Sequence, residues 1–174
     1  SAQAEAALRV IMRNGLKLMQ KIDDYEAWCE VGLAGSFAHN GYFGLGHEED
    51  WACHGIEHAL SGWDDRIVHG EGLAVVIPSW MSYVWPVNPA RFVRFAREVF
   101  DVSGDQDDET TIKLAIAKFC SFLIQMNLPT KLSQLTEREV PIKEIAQASV
   151  GGATLGHFKA LNAQDVEAIL VNAR

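Results

Sequence analysis

Six histidines stand in this chain, and five of them (His39, His47, His54, His58 and His69) fall within one short stretch, while His157 stands apart. His54 and His58 are four residues apart. In a helix that spacing puts both imidazoles on one face, about 6 Å from each other. His69 follows His54 by 15 residues, close enough for a short connector to fold it back against the pair. Neutral imidazole is the commonest side-chain ligand for Zn2+, Fe2+ and related ions, so this cluster can assemble part of a divalent-metal site. Taken alone, an i, i+4 histidine pair is more often a surface or capped-core feature than a ligand pair.

Other chemistries fit the sequence less well. The motif is not HExxH: Glu57 directly precedes His58 and is expected to point away from the face the two histidines share, which disfavours a zincin protease. The glycines Gly41, Gly44 and Gly46 follow no strand, so they read as a helix connector and not as a nucleotide-binding loop. Cys53 beside His54 has no evident paired base, and inert packing is the expectation for its thiol.

The elements that must position these residues are helical throughout. The chain has 174 residues, 48% of them hydrophobic, which suffices for one domain with a buried core. Helix-period patterns recur from end to end, with almost no alternation of period two. The expected helices are Ser1–Gln20, with Leu8, Ile11, Met12, Gly15, Leu18 and Met19 on one face; one capped by Asp23 or Asp24 and running to about Asn40; Asp50 to about Gly62; and one from near His69 that is apolar nearly all round and hence central. Further on, Asn88 caps a helix with Pro89 at its first position. Asp107–Glu109 opens another, with Ile112, Ile116, Phe119, Leu123 and Met126 as its stripe. A shorter helix covers about Pro141–Val150. The last is capped by Asn162, with Asp165 completing a weak capping box. The expected fold class is therefore all-α, a multi-helix array of about eight helices.

Composition narrows the function classes. The net charge of −8 argues against a general nucleic-acid or anionic-membrane binder. The longest apolar run, Leu73 to Trp85, contains Pro78 and is too short to span a bilayer, which takes about 20 residues. Ser1–Gln20 is amphipathic and charged, unlike a signal peptide. Three cysteines without a close pair fit neither a disulfide scaffold nor a CxxC metal site, and the expected compartment is the cytoplasm.

Three segments add a family resemblance: Ala38–Gly46 (AHNGYFGLG), Asp50–Ser61 (DWACHGIEHALS) and His69–Pro78 (HGEGLAVVIP). Together with the tail Gly152–Asn162 (GATLGHFKALN) they closely resemble the iron-containing (group III) alcohol dehydrogenases, in particular the butanol dehydrogenase-like branch. The resemblance covers essentially the whole chain. Its specific centre is DWACHxxEH followed by HGxGLA.

The resemblance implies the C-terminal helical domain of the dehydroquinate synthase-like and iron-containing alcohol dehydrogenase fold, here residues 1–174 as a single metal-binding domain. The family's N-terminal nucleotide-binding domain has no counterpart in this sequence. In the family the metal is held by an Asp and a His of a DxxxH motif and by two later histidines, which match His54 and His69. Asp50 and His54 fit DxxxH by letter but sit at the wrong place in the family pattern. The family usually separates its two later histidines by 14 residues; the extra residue here lies between Trp63 and Val68. His58 matches a histidine that faces the nicotinamide side of the cleft without binding metal, so a catalytic role in relaying the alcohol proton is implied for it. The implied cofactors are a divalent metal (Fe2+ or Zn2+) and NAD(P). The implied partners are a small alcohol or aldehyde and the nucleotide domain, with a homodimer one option for assembly. The isolated chain is expected to bind metal weakly and to be inactive by itself. Two other readings stay open: a stand-alone helical binding module without dehydrogenase activity, and a metal hydrolase using His54, His58 and His69 together.

Overall fold

The computed structural model describes residues 2–174; Ser1, the first residue of the expected first helix, lies outside them. Eight α-helices account for the architecture: α1 (Ala2–Gln20), α2 (Tyr25–His39), α3 (Ala52–Trp63), α4 (His69–Val84), α5 (Pro89–Phe100), α6 (Asp108–Gln125), α7 (Ile142–Val150) and α8 (Ala163–Asn172). Among the described residues there is no strand, only one antiparallel bridge between Leu155 and Leu161. The expected all-α array is what the chain forms.

Local chemistry sets the helix starts. Asp24 accepts from the Ala27 N–H at 3.0 Å, Asn88 from Arg91 at 3.3 Å with Pro89 behind it, and Asp107 from Thr110 at 2.9 Å. Each removes one of the unpaired donors of a first turn. At α8 the capping box closes both ways: Asn162 accepts from Gln164 and Asp165, and Asp165 accepts from the Asn162 N–H. The third helix starts two residues later than expected, at Ala52, because Asp50 stays outside it and bonds the Ala52 N–H from there at 2.8 Å.

α4 is the central element. Gly72, Ala74, Val75, Val76, Pro78, Ser79, Met81 and Val84 are buried along it. It packs against α3, α6 and α8, while α7 closes the group against α3 and α8. The core joins Ile56 and Leu60 of α3, Val75 and Val76 of α4, Ile112 of α6, Ile145 of α7, and Val166, Ile169 and Leu170 of α8. Ser79 Oγ donates to the Ile169 carbonyl at 2.6 Å inside it, so α4 and α8 are joined by a polar bond as well as by apolar area. Ala96, Val99, Phe100, Val102 and Ala115 form a smaller cluster between α5 and α6.

α1 departs from its expected face. Its buried residues are Asn14, Gly15 and Leu18, whereas Leu8 and Met19 are exposed. α1 leans mainly on α2 and α5, and part of its apolar stripe is uncovered. Asn14 tolerates burial because its side-chain amide donates to the Val10 carbonyl at 3.0 Å.

Candidate metal centre

The α3–α4 corner brings three histidines together. His54 and His58 project from α3 with ring centroids 6.2 Å apart, as an i, i+4 pair should. His69 is the first residue of α4, and its ring lies 5.4 Å from each of the other two. The extra residue in the connector is thus absorbed without removing His69 from the cluster.

The connector is pinned by a buried carboxylate. The Asp64 side chain accepts from Arg66 Nε at 2.9 Å, from Arg66 Nη2 at 2.8 Å and from the Thr136 hydroxyl at 2.9 Å. Arg138 lies 3.7 Å away, with its guanidinium stacked over Trp63. The Arg66 guanidinium, followed by the Thr136 bond, holds the Asp64 carboxyl well below the usual carboxylate range. This lock joins the turn ahead of His69 to the segment after α6.

Glu57 faces away from the exposed surface of α3, as expected, but meets a partner the sequence did not show. It is fully buried, yet its Oε2 is bonded to Nδ1 of His69. Facing away from the α3 surface turns it toward α4, where His69 meets it. Ligand atoms of Glu57, His58 and His69 all lie within 4.8 Å of one another, close enough among the described residues to share one metal ion. The signal for Glu57 was a lone carboxylate on the flank of α3 that otherwise carries Ala52, Ile56 and Leu60, all buried.

His54 stands just beyond that trio, with the Trp51 ring 4.8 Å from it in an edge contact. Desolvation, then the nearby His69 and His58, lower its pKa. A lowered value favours neutral imidazole, the form that ligates a metal. The donor set of imidazole nitrogens with a carboxylate suits Fe2+, Zn2+ and similar ions. Glu57 Oε1 is buried without a hydrogen-bond partner, an acceptor left free beside the histidines. On these observations the residues fit a divalent cation.

The other candidates have structural employment. Asp50 directs Oδ1 to the Ala52 N–H and Oδ2 to the backbone N–H groups of His157 and Phe158, at 2.8 and 2.6 Å. His157 pairs with Glu48 at 3.0 Å. Burial, reinforced by the Asp50 charge, pushes the Cys53 thiol up, the opposite of an activated nucleophile. No helix is long and apolar enough to cross a membrane among the described residues.

Comparison with known proteins adds a family and several relatives. Residues 1–174 match the family described as Fe-containing alcohol dehydrogenase family, C-terminal. The chain is 35% identical over 168 residues to a probable NADH-dependent butanol dehydrogenase 1 of Bacillus subtilis, covering 95% of this chain and 43% of that protein. It is 34% identical to NADH-dependent butanol dehydrogenase A of Clostridium acetobutylicum, over 94% of this chain and 42% of that one. Among solved structures, NADH-dependent butanol dehydrogenase A of Thermotoga maritima superposes with a TM-score of 0.88 at 36% identity, over 97% of this chain and 44% of that one. The E. coli aldehyde reductase YqhD superposes with a TM-score of 0.90 at 26% identity, over 98% and 45%. The chain thus spans less than half the length of the relatives it matches.

Proposed function

The chain belongs to the iron-containing alcohol dehydrogenase family, and on that premise we propose that it is the helical metal-binding domain of a cytoplasmic, NAD(P)-dependent alcohol dehydrogenase or aldehyde reductase. The observation that carries this reading is the convergence of His54, His58 and His69 at the α3–α4 corner, in the segment richest in the family resemblance. His54 and His69 would hold the divalent cation, Fe2+ or Zn2+. That cation supplies Lewis acidity toward a carbonyl or alcohol oxygen, and a nicotinamide supplies hydride chemistry, so the protein's task is position and electrostatics.

Within that task each residue has a part. His54, kept neutral by desolvation and by two neighbouring imidazoles, offers its lone pair at neutral pH. His58 lies one turn along α3 from His54 and beside His69, where its imidazole can hold or relay the proton of a bound alcohol. Trp51, half exposed against His54, forms an apolar edge to the site.

A second reading rests on one specific observation: ligand atoms of Glu57, His58 and His69 lie within 4.8 Å of one another. In that reading His58 is itself a ligand, as a histidine-based hydrolase would use it. Titrating Zn2+ or Co2+ into the chain by calorimetry separates the two. With only part of a four-ligand set, binding should be weaker than about 1 µM. His54→Ala and His69→Ala should each weaken it by about tenfold or more, and His58→Ala should leave it nearly unchanged. Loss of metal in His58→Ala with retention in His54→Ala would replace the first reading by the second.

A further inference from the structure

We propose that Glu57 is a positioning residue of this centre: its buried carboxylate accepts a hydrogen bond from the Nδ1–H of His69, fixes that imidazole in the Nδ1–H tautomer, and leaves Nε2 as its one basic nitrogen. The inference rests on the reading of His69 as a metal ligand and goes beyond it by assigning what prepares that ligand.

The packing leaves the carboxylate no other task. Glu57 is 0% exposed on a helix flank otherwise built from Ala52, Ile56 and Leu60. A carboxylate there is costly unless hydrogen-bonded. Its hydrogen-bonded partner is His69 Nδ1, through Oε2, while Oε1 has none. A Cβ on Gly72 would stand 2.7 Å from Glu57 Cγ and 2.9 Å from Oε1, so the carboxylate lies directly against the α4 backbone one turn past His69. Glycine at this place lets α4 approach closely enough for the pair to form.

Chemistry gives the pair a direction. A neutral imidazole carries one proton, on either nitrogen, and a carboxylate can only accept. Oε2 lies against Nδ1, so as acceptor it selects the tautomer that carries the proton on Nδ1. The half-exposed ring then presents Nε2 as lone pair. A carboxylate behind a ligating histidine fixes its tautomer and orientation and raises its basicity, and losing such a partner typically weakens metal affinity by about 10–100-fold.

The test needs no turnover. In the 174-residue chain with 15N-labelled histidine, at about pH 9 where ordinary imidazoles are neutral, the His69 ring nitrogens should report the Nδ1–H tautomer. Glu57→Gln, which can still accept through its amide oxygen, should keep that tautomer but bind Zn2+ about tenfold more weakly. Glu57→Leu should lose the preference and weaken Zn2+ binding by up to about 100-fold. If Glu57→Leu fails to fold, the unmodified chain decides: a His69 protonated on Nε2 overturns the inference. So does Zn2+ affinity that Glu57→Gln leaves unchanged while His69→Ala abolishes it. Should His69→Ala itself leave Zn2+ binding intact, the ligand assignment fails, which is a distinct result.

Discussion

At the scale of single residues, two buried carboxylates do opposite jobs a few positions apart. Glu57 is under-partnered and faces the cluster that a cation would occupy. Asp64 is over-partnered, with both oxygens taken by Arg66 and Thr136, and it holds the connector that delivers His69. Asp64 therefore predicts a pH dependence. Its folded pKa lies below the ordinary value of 3.8. Between the two values the unfolded chain binds a proton that the native one does not, so stability rises with pH there. The contribution is complete above about pH 4 and is lost as pH falls through the folded value. Urea melts of the unmodified chain should show a steep loss of stability below about pH 4. Asp64→Asn should be less stable at neutral pH and lose less on acidification, and parallel acid limbs for the two proteins would contradict this account.

At the scale of elements, the helices were legible wherever their signals are local. Asp24, Asn88, Asp107 and Asn162 each bond an N–H two or three residues on, so sequence alone displays both partners. The centrality of α4 was legible for the same reason, from an apolar run between Leu73 and Trp85 interrupted only by Ser79 and Ser82. Long-range employment was not legible. Asp50 reads as a DxxxH aspartate by letter, but its partners His157 and Phe158 lie more than a hundred residues away. For Glu57, counting helix faces placed the side chain on the buried side of α3 but did not show which neighbour receives it. Asp50 in turn predicts a coupling between α3 and the tail. Gly156 has φ +88°, and a Cβ there would come within 2.9 Å of the Ala52 Cβ and 3.1 Å of the Asp50 carboxylate, so the tail passes as close as backbone can. Asp50→Ala removes the bond to the α3 start and strands two further N–H groups. It should cost about 2–3 kcal/mol in urea unfolding, more than a lone cap at about 1 kcal/mol. A loss no larger than that of Asn162→Ala would mean the tail contributes nothing through Asp50.

At the scale of the whole molecule, the exposed apolar surface is unevenly spread. Of the large hydrophobic side chains left exposed, Ile22, Tyr25, Trp28, Leu33, Phe37, Tyr42, Leu45 and Trp51 all fall in the α2 segment and its continuation to α3, ending beside His54. Only Ala27 and Ala34 of α2 are buried. Trp51, at the end of this series, borders the candidate metal centre. Hydride transfer needs a nicotinamide held over that centre. Dinucleotides are usually held where a strand turns into a helix whose N-terminus faces the pyrophosphate, and the described residues contain no such strand. The 174-residue chain alone, given Zn2+ or Fe2+, should therefore consume no NADH with butanal, as followed by NADH absorbance. Joined to the amino-terminal part of a butanol dehydrogenase relative, it should gain turnover. In that chimera His54→Ala and His69→Ala should abolish activity together with bound metal, whereas His58→Ala should keep the metal and slow the reaction about 10²-fold. Turnover by the chain alone would overturn this division of labour. Metal loss in His58→Ala with retention in His54→Ala would instead leave the two-domain reading intact and move the ligand set to the Glu57, His58 and His69 trio.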